Sequence, residues 1–285
     1  MTGGMYKHCP ETLSWADKRQ RLLQLMDGYA QKDCVIAFSG GVDSSLLVRL
    51  ACEQAAVHHT TVYAVMIQSE LGTAADAKIA ASVAGQAGAQ FVVLNIHELT
   101  VPQIAQNHVD RCYVCKKYLF SRLLAFAREK NIDTVLEGTN ADDLKAYRPG
   151  IRAIRELGVL SPLVQAQMTK AEVRRLAEEY GISVASRPSA PCLATRFPYN
   201  TRLTVEALRK VEQGEQILRE MGFTQVRLRL HGTIARIEVL PEQMQQFMAA
   251  APEIVRELKA LGYDYVTLDL EGFRSGSMDL HVRHE

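Results

Sequence analysis

Long hydrophobic runs are absent from this chain of 285 residues, cysteine and tryptophan are scarce, and neither charge predominates. No apolar stretch approaches the roughly 18 residues needed to cross a bilayer, and the first thirty residues carry acids and a helix-like pattern in place of a signal peptide. A cytoplasmic protein with no membrane partner is therefore expected. Lys plus Arg number 33 against 32 Asp plus Glu, a net charge of +1, which argues against a nucleic-acid partner. An apolar content of 47% argues equally against a disordered chain. Six cysteines are too few for a disulfide scaffold, so any clustered thiols read as metal-binding or reactive. The eight histidines show no HExxH or comparable spacing, and none is assigned to a metal.

What is present is alternation. The length corresponds to about two domains at roughly 150 residues each. An amphipathic helix over 11–30 leads into the buried-strand run CVIAF at 34–38. Helices at 43–54, 74–87 and 118–130 then alternate with strands at 61–67, 91–96 and 134–137, which predicts an α/β fold with a doubly wound parallel sheet. A helix over 170–180 follows, with Thr169 as N-cap and Gly181 as stop. The proline-bearing stretch 186–200 cannot hold a regular helix, and the domain division falls there: 1–188, a linking loop 189–203, and 204–285. The last segment reads as a smaller α+β domain, with helices at 205–221 and 252–261 and strands at 225–230, 234–239 and 265–270.

The run Ser39-Gly40-Gly41-Val42-Asp43-Ser44-Ser45 lies directly between the first strand and its helix. Adjacent glycines let backbone N–H groups converge on an anion, and a helix N-terminus adds unpaired donors and a favourable dipole, so the position suits phosphate. A Walker lysine is missing. The motif resembles the loop of the PP-loop (N-type) ATP pyrophosphatases. That resemblance implies ATP as cosubstrate, cleavage between the α and β phosphates, and phosphate contacts from Ser39, Gly40, Gly41, Ser44 and Ser45. It also implies catalytic roles for Ser39 and Asp43. A carboxylate among phosphates makes sense as a ligand of Mg²⁺; the alternative is an acid favoured by the dipole of a helix's first turn.

Cys112 and Cys115, in RCYVCKK, stand three apart and would share one face of a helix. Such a pair also serves zinc sites and redox couples. Cys192, in the proline-rich loop, is the third candidate. Three thiols are incomplete for structural zinc and suit a [4Fe–4S] cluster whose fourth iron has no protein ligand; unlinked thiols are the plain alternative. Cys34 and Cys52 read as core residues, and Cys9 sits in a tail.

Together with the phosphate loop, the segments RCYVCKKYLFSRL, GTNADDLKAYRPG, PCLATRFPYNTRLT, VRLRLHGTIARIEV and YVTLDLEGFRSGSM resemble, in order along most of the chain, the LarE family of ATP-dependent sulfur transferases. The resemblance implies a pyridinium dicarboxylate mononucleotide as substrate, adenylated and converted to thiocarboxylates for the nickel-pincer cofactor of lactate racemase. It further implies sulfide or another sulfur donor, carriage of sulfide by the three-cysteine cluster with Cys192 at the reacting centre, and a homohexamer. Arg227 and Arg229, with His231, alternate along one strand and so share a face. By resemblance Arg227, Arg229 and Glu215 meet the substrate phosphate, and Thr195 and Arg196 meet the substrate. Asp142 and Asp143 read either as metal or ribose contacts or as caps of the next turn. A tRNA thiolase of the same superfamily and a nucleotide-responsive redox sensor are the competing functions.

Overall fold

The computed structural model describes residues 13–72, 75–145, 149–185 and 192–274; Cys9 and the stretch 186–191 lie outside them. Helix α1 (Trp15–Ala30) opens on a reciprocal capping box in which Asp17 N–H donates to Ser14 Oγ at 3.2 Å and Ser14 N–H to Asp17 Oδ2 at 3.3 Å. The apolar run becomes β1 (Cys34–Ala37), followed by α2 (Val42–His58), β2 (Val62–Ser69), α3 (Ala75–Ala87) and β3 (Gln90–Ile96). The chain continues through α4 (Pro102–Ala105), α5 (Arg111–Glu129), β4 (Thr134–Leu136), α6 (Pro149–Glu156) and α7 (Pro162–Gln165) to α8 (Lys170–Glu179). Thr169 caps α8 as expected: Glu172 N–H donates to Thr169 Oγ1 at 3.3 Å, and Thr169 N–H donates back to Glu172 Oε2 at 2.7 Å.

Strands β1 to β4 pair in parallel in the order β3-β2-β1-β4. The chain thus runs outward from β1, then returns to place β4 on its other side, and a crevice opens where the order reverses. Both faces of the sheet are covered. Cys34 and Ile36 of β1 pack with Leu46, Leu50 and Leu176 on one side, whereas Val35 packs with Val65, Leu123 and Ile154 on the other. Each fully buried Val, Leu or Ile contributes about 1.5–3 kcal/mol, which explains why β1 reads as an unbroken apolar run.

Beyond residue 204 come α9 (Val205–Glu220), β5 (Arg227–His231), β6 (Ile234–Glu238), α10 (Met244–Ala249), α11 (Ala251–Ala260) and β7 (Tyr265–Leu268). Strand β5 pairs antiparallel with β6, and β6 parallel with β7. Leu208, Val211 and Leu218 of α9 close over Leu228, Ala235 and Ile237, with the rings of Phe223 and Phe247 meeting edge-on at 5.3 Å. This second core also takes in Leu71 and Ile104 from the first half of the chain.

The segment 192–203 is bonded to that first half along its length. Leu193 N–H donates to Leu71 O at 2.9 Å, Asn200 N–H to Asn107 O at 3.0 Å, and Leu203 N–H to Ala105 O at 2.6 Å. The side-chain amide of the fully buried Asn107 adds bonds to Phe197 O at 3.2 Å and Pro198 O at 2.8 Å. These bonds carry Cys192 across the fold toward the start of α5.

Candidate active site

The phosphate loop sits at the carboxyl end of β1. Gly40 adopts φ +69°, and a Cβ there would come within 3.1 Å of the Ala80 side chain, so glycine answers both the left-handed turn and the close approach of α3. Ser44 Oγ bridges the loop, accepting from Ser39 N–H at 3.2 Å and donating to Gly41 O at 3.2 Å, while Gly41 N–H reaches Ser39 Oγ at 3.3 Å. Ser45 is buried, and its hydroxyl has no hydrogen-bond partner among the described residues. A cavity of about 420 Å³ opens above the loop, lined by Ser39, Asp43 and Ser44, the ends of β2 and β4, and Lys116 and Phe120 of α5.

Asp43 is held by two groups that local pattern did not reveal. Asn140 Nδ2 donates to its Oδ1 at 3.2 Å, and the Lys170 ammonium pairs with its Oδ2. Lys170 stands in the first turn of α8, where a cation works against the helix dipole; that misplacement is the one clue the sequence offered. Asp142 and Asp143 both make capping bonds, and Asp143 also lines the cavity. Asn140 and Asp143 form a capping box, and Asp142 accepts Lys170 N–H at 2.9 Å. Mg²⁺ commonly takes only one or two carboxylates and completes its shell with phosphate oxygens and water, and a carboxylate facing the cavity, as Asp43 does, fits that chemistry.

Helix α5 begins seven residues before its expected start, so the CxxC pair lies in its first two turns. Cys112, Cys115 and Cys192 are all half-buried, and Arg111 joins them, its guanidinium 3.4 Å from Cys112 Sγ and also bonded to Asn107. Burial raises the Cys115 thiol, with further increments from Cys192, Glu98 and Cys112; burial likewise raises Cys192, against the opposing charge of Arg111. Among the described residues no three His, Cys, Asp or Glu side chains converge on a single metal ion. A cubane asks for a different arrangement, one thiolate on each of three irons, and three thiols gathered beside a buried cation match that donor set. Cys34, buried inside β1, has its thiol pushed up to about 12, and Cys52 to about 11, values that suit inert core residues.

The basic face of β5 is covered where the sequence pattern allowed it to be solvated. Arg229 is 4% exposed, and its fork is closed on Glu238 at 3.1 and 2.8 Å while its third nitrogen donates to Thr195 O at 2.8 Å. The fork expected to be free for phosphate is therefore engaged. Arg196, also buried, pairs with Glu215 at 2.8 and 3.0 Å and donates to Cys192 O at 3.1 Å and Thr195 Oγ1 at 2.9 Å. Burial opposes the charge on Glu215, but the bonds and charge of Arg196, with Arg227 and Leu228 N–H, outweigh it and hold the carboxyl below its usual range. Arg227 differs from its neighbours: its guanidinium donates to Val226 O at 2.8 Å and lies over the Phe273 ring, 5.1 Å from the centroid. Burial and the adjacent charge of Arg196 bring it down to about 10, which still leaves it cationic and marks a surplus of positive charge that an anion would relieve.

A glycine-rich turn at a topological switch point, with an acid in the first helical turn and no Walker lysine, defines the class: a nucleotide-binding α/β protein of the PP-loop kind. The family model described as asparagine synthase matches residues 29–236. An uncharacterised protein of Synechocystis sp. is 40% identical over 255 residues, covering 86% of this chain and 91% of its own length. Pyridinium-3,5-bisthiocarboxylic acid mononucleotide synthase of Lactiplantibacillus plantarum is 38% identical over 244 residues, 86% of this chain and 88% of that protein. An uncharacterised protein of Methanocaldococcus jannaschii is 31% identical over 251 residues, with coverage of 88% and 94%. Within the ATP-using PP-loop superfamily, the chain belongs to the LarE family, that of the L. plantarum synthase.

Proposed function

We propose that this protein is an ATP-dependent sulfur transferase that converts the carboxylates of a pyridinium dicarboxylate mononucleotide to thiocarboxylates, a step toward a nickel-pincer cofactor. The observation that carries the reading is the placement of α5, which lends Lys116 to the cavity above the phosphate loop and Cys115, one residue earlier, to the thiol group. Activation and sulfur delivery meet on one element.

In this reading Ser39, Gly40, Gly41, Ser44 and Ser45 hold the β and γ phosphates, and Asp43 would hold Mg²⁺, whose charge would offset that of the departing pyrophosphate. The substrate carboxylate attacks the α phosphorus and pyrophosphate leaves. The acyl-adenylate then reacts with a sulfur nucleophile, and AMP departs with the bonding pair. Cys112, Cys115 and Cys192 would hold a [4Fe–4S] cluster, which when bound would supply sulfide as that nucleophile. Residues 1–188 serve ATP in this division of labour, and residues 204–285 serve the substrate, in a homo-oligomer.

The test is anaerobic incubation with ATP, Mg²⁺, sulfide and the dicarboxylate mononucleotide. Equal amounts of AMP and pyrophosphate should appear, together with a product in which oxygen has been replaced by sulfur. Release of ADP and phosphate, or turnover indifferent to the mononucleotide, overturns the proposal.

Arg227 receives the substrate's phosphate in this scheme, with Arg229 and Glu215 fixing the surrounding charge. A charge-assisted bond is worth about 1.5–3 kcal/mol, so Arg227→Ala should weaken mononucleotide binding on the order of ten- to a hundredfold. Binding of the dephosphorylated nucleoside should hardly change. Arg227→Lys should recover only part of the loss, lacking the planar fork. Calorimetry with both ligands checks this, and undiminished discrimination in Arg227→Ala removes the residue from the phosphate site.

A further inference from the structure

A short 3₁₀ turn at Glu98–Thr100, in the connection that follows β3, contains a carboxyl group with no part in the chemistry described so far. Glu98 lies between β3 and α4 and is fully buried. Its Oε1 accepts Leu71 N–H at 2.9 Å, and its Oε2 has no hydrogen-bond partner among the described residues. Its own N–H donates to Glu70 Oε2 at 3.1 Å, and Glu70 Oε1 in turn meets His97 Nδ1 at 2.8 Å, so residues 70–71 and 97–98 are tied in both directions. A half-satisfied buried acid is costly, and packing alone would be served better by leucine.

The carbonyl of Leu71, the residue whose N–H Glu98 holds, accepts Leu193 N–H at 2.9 Å, and Leu193 directly follows Cys192. The turn that carries Glu98 also borders α5, since its next residue Leu99 and Cys115 pack against the same apolar cluster, and the Glu98 charge raises the Cys115 thiol. The acid is therefore connected through a single residue, Leu71, to the segment that carries Cys192. We infer that Glu98 is a positioning residue: by fixing Leu71 it holds the Cys192 segment against the start of α5. The inference rests on reading Cys192 as part of the sulfur site.

Two near-isosteric variants separate reach from charge. Glu98→Gln keeps an oxygen where Leu71 N–H needs it, whereas Glu98→Asp keeps the acid and withdraws it by one methylene. In iron-free full-length protein, iodoacetamide alkylation of each cysteine is followed by mass spectrometry, with the buried Cys34 as the internal measure of general loosening. Glu98→Asp should speed alkylation of Cys192 about tenfold, and Glu98→Gln should leave it within about twofold of wild type, with Cys34 protected in both, since tenfold is the local opening expected for loss of one such bond. Equal rates in all three proteins, the reverse order of the two variants, or a joint rise at Cys34 each overturn the inference. Because neither ATP nor substrate is present, a failure of the sulfur-transfer reading would show as absent pyrophosphate release by the wild type and leave this alkylation pattern intact.

Discussion

Asp43→Ala should abolish pyrophosphate release from ATP. Asp43 faces the cavity from the first turn of α2, the one carboxylate of the phosphate loop, and Asn140 fixes its orientation. Loss of a single preorganised charge-stabilising group costs on the order of a hundred- to a thousandfold in rate, and removal of a metal's protein ligand lies at or beyond the upper end of that range. Asp43→Asn keeps the bond to Asn140 within reach and loses the charge, so it should be nearly as inactive. Coupled detection of pyrophosphate measures both, while anaerobic iron content should stay at the wild-type level, because the thiols lie on α5 and the segment after 191. Retained pyrophosphate release in Asp43→Ala would falsify its role at the phosphates.

Replacing any one of Cys112, Cys115 or Cys192 with alanine should eliminate thiocarboxylate formation and anaerobic iron incorporation together. Cys34→Ala and Cys52→Ala should leave both in place. The division follows surroundings as well as spacing: the first three thiols gather around Arg111, whereas Cys34 is enclosed by the sheet and Cys52 packs against the same core from α2. Cys34→Ala should cost stability only, about 1 kcal/mol for the lost sulfur's packing in the core. ATP activation should survive in the three thiol variants, since their side chains do not line the phosphate cavity. Iron and sulfide analysis after reconstitution, alongside pyrophosphate assays, reads the two halves separately; full iron content in any of the three variants would remove that cysteine from the ligand set.

The first half of the fold was legible because local chemistry and long-range packing agree there. β1 is apolar on both faces since both are covered, and Thr169 and Glu172 state the start of α8 within four residues. The start of α5 was hidden by its composition. Arg111, Cys112, Cys115, Lys116 and Lys117 interrupt the apolar stripe that would announce a helix, and Asp110 makes no side-chain capping bond. Helices α6 and α7 are short and begin at prolines, which read as breakers when no partner is in view. In the site, the loop of glycines and serines was visible as a motif, but Lys170 reaches Asp43 from 127 positions away. Arg229 was correctly placed on the basic face of its strand. What covers that face is the segment 192–196, and the closing of its fork on Glu238 depends on a diagonal cross-strand contact that no alternation pattern encodes.

Helix α5, shared between the phosphate cavity and the thiols, makes their relationship one of angular phase. Successive residues of a helix turn by about 100°, so Cys112, Cys115 and Lys116 point where they do only because of the count of residues between them. A substitution within 111–117 alters one contact, whereas an insertion of a single residue rotates everything beyond it by more than a quarter turn and separates the two halves of the chemistry. A residue inserted after 129, in the turn leading to β4, should by contrast leave that phase unchanged, because no side chain of the cavity or the thiol group is carried there. The helix works as an indexing shaft, and its tolerance is measured in degrees.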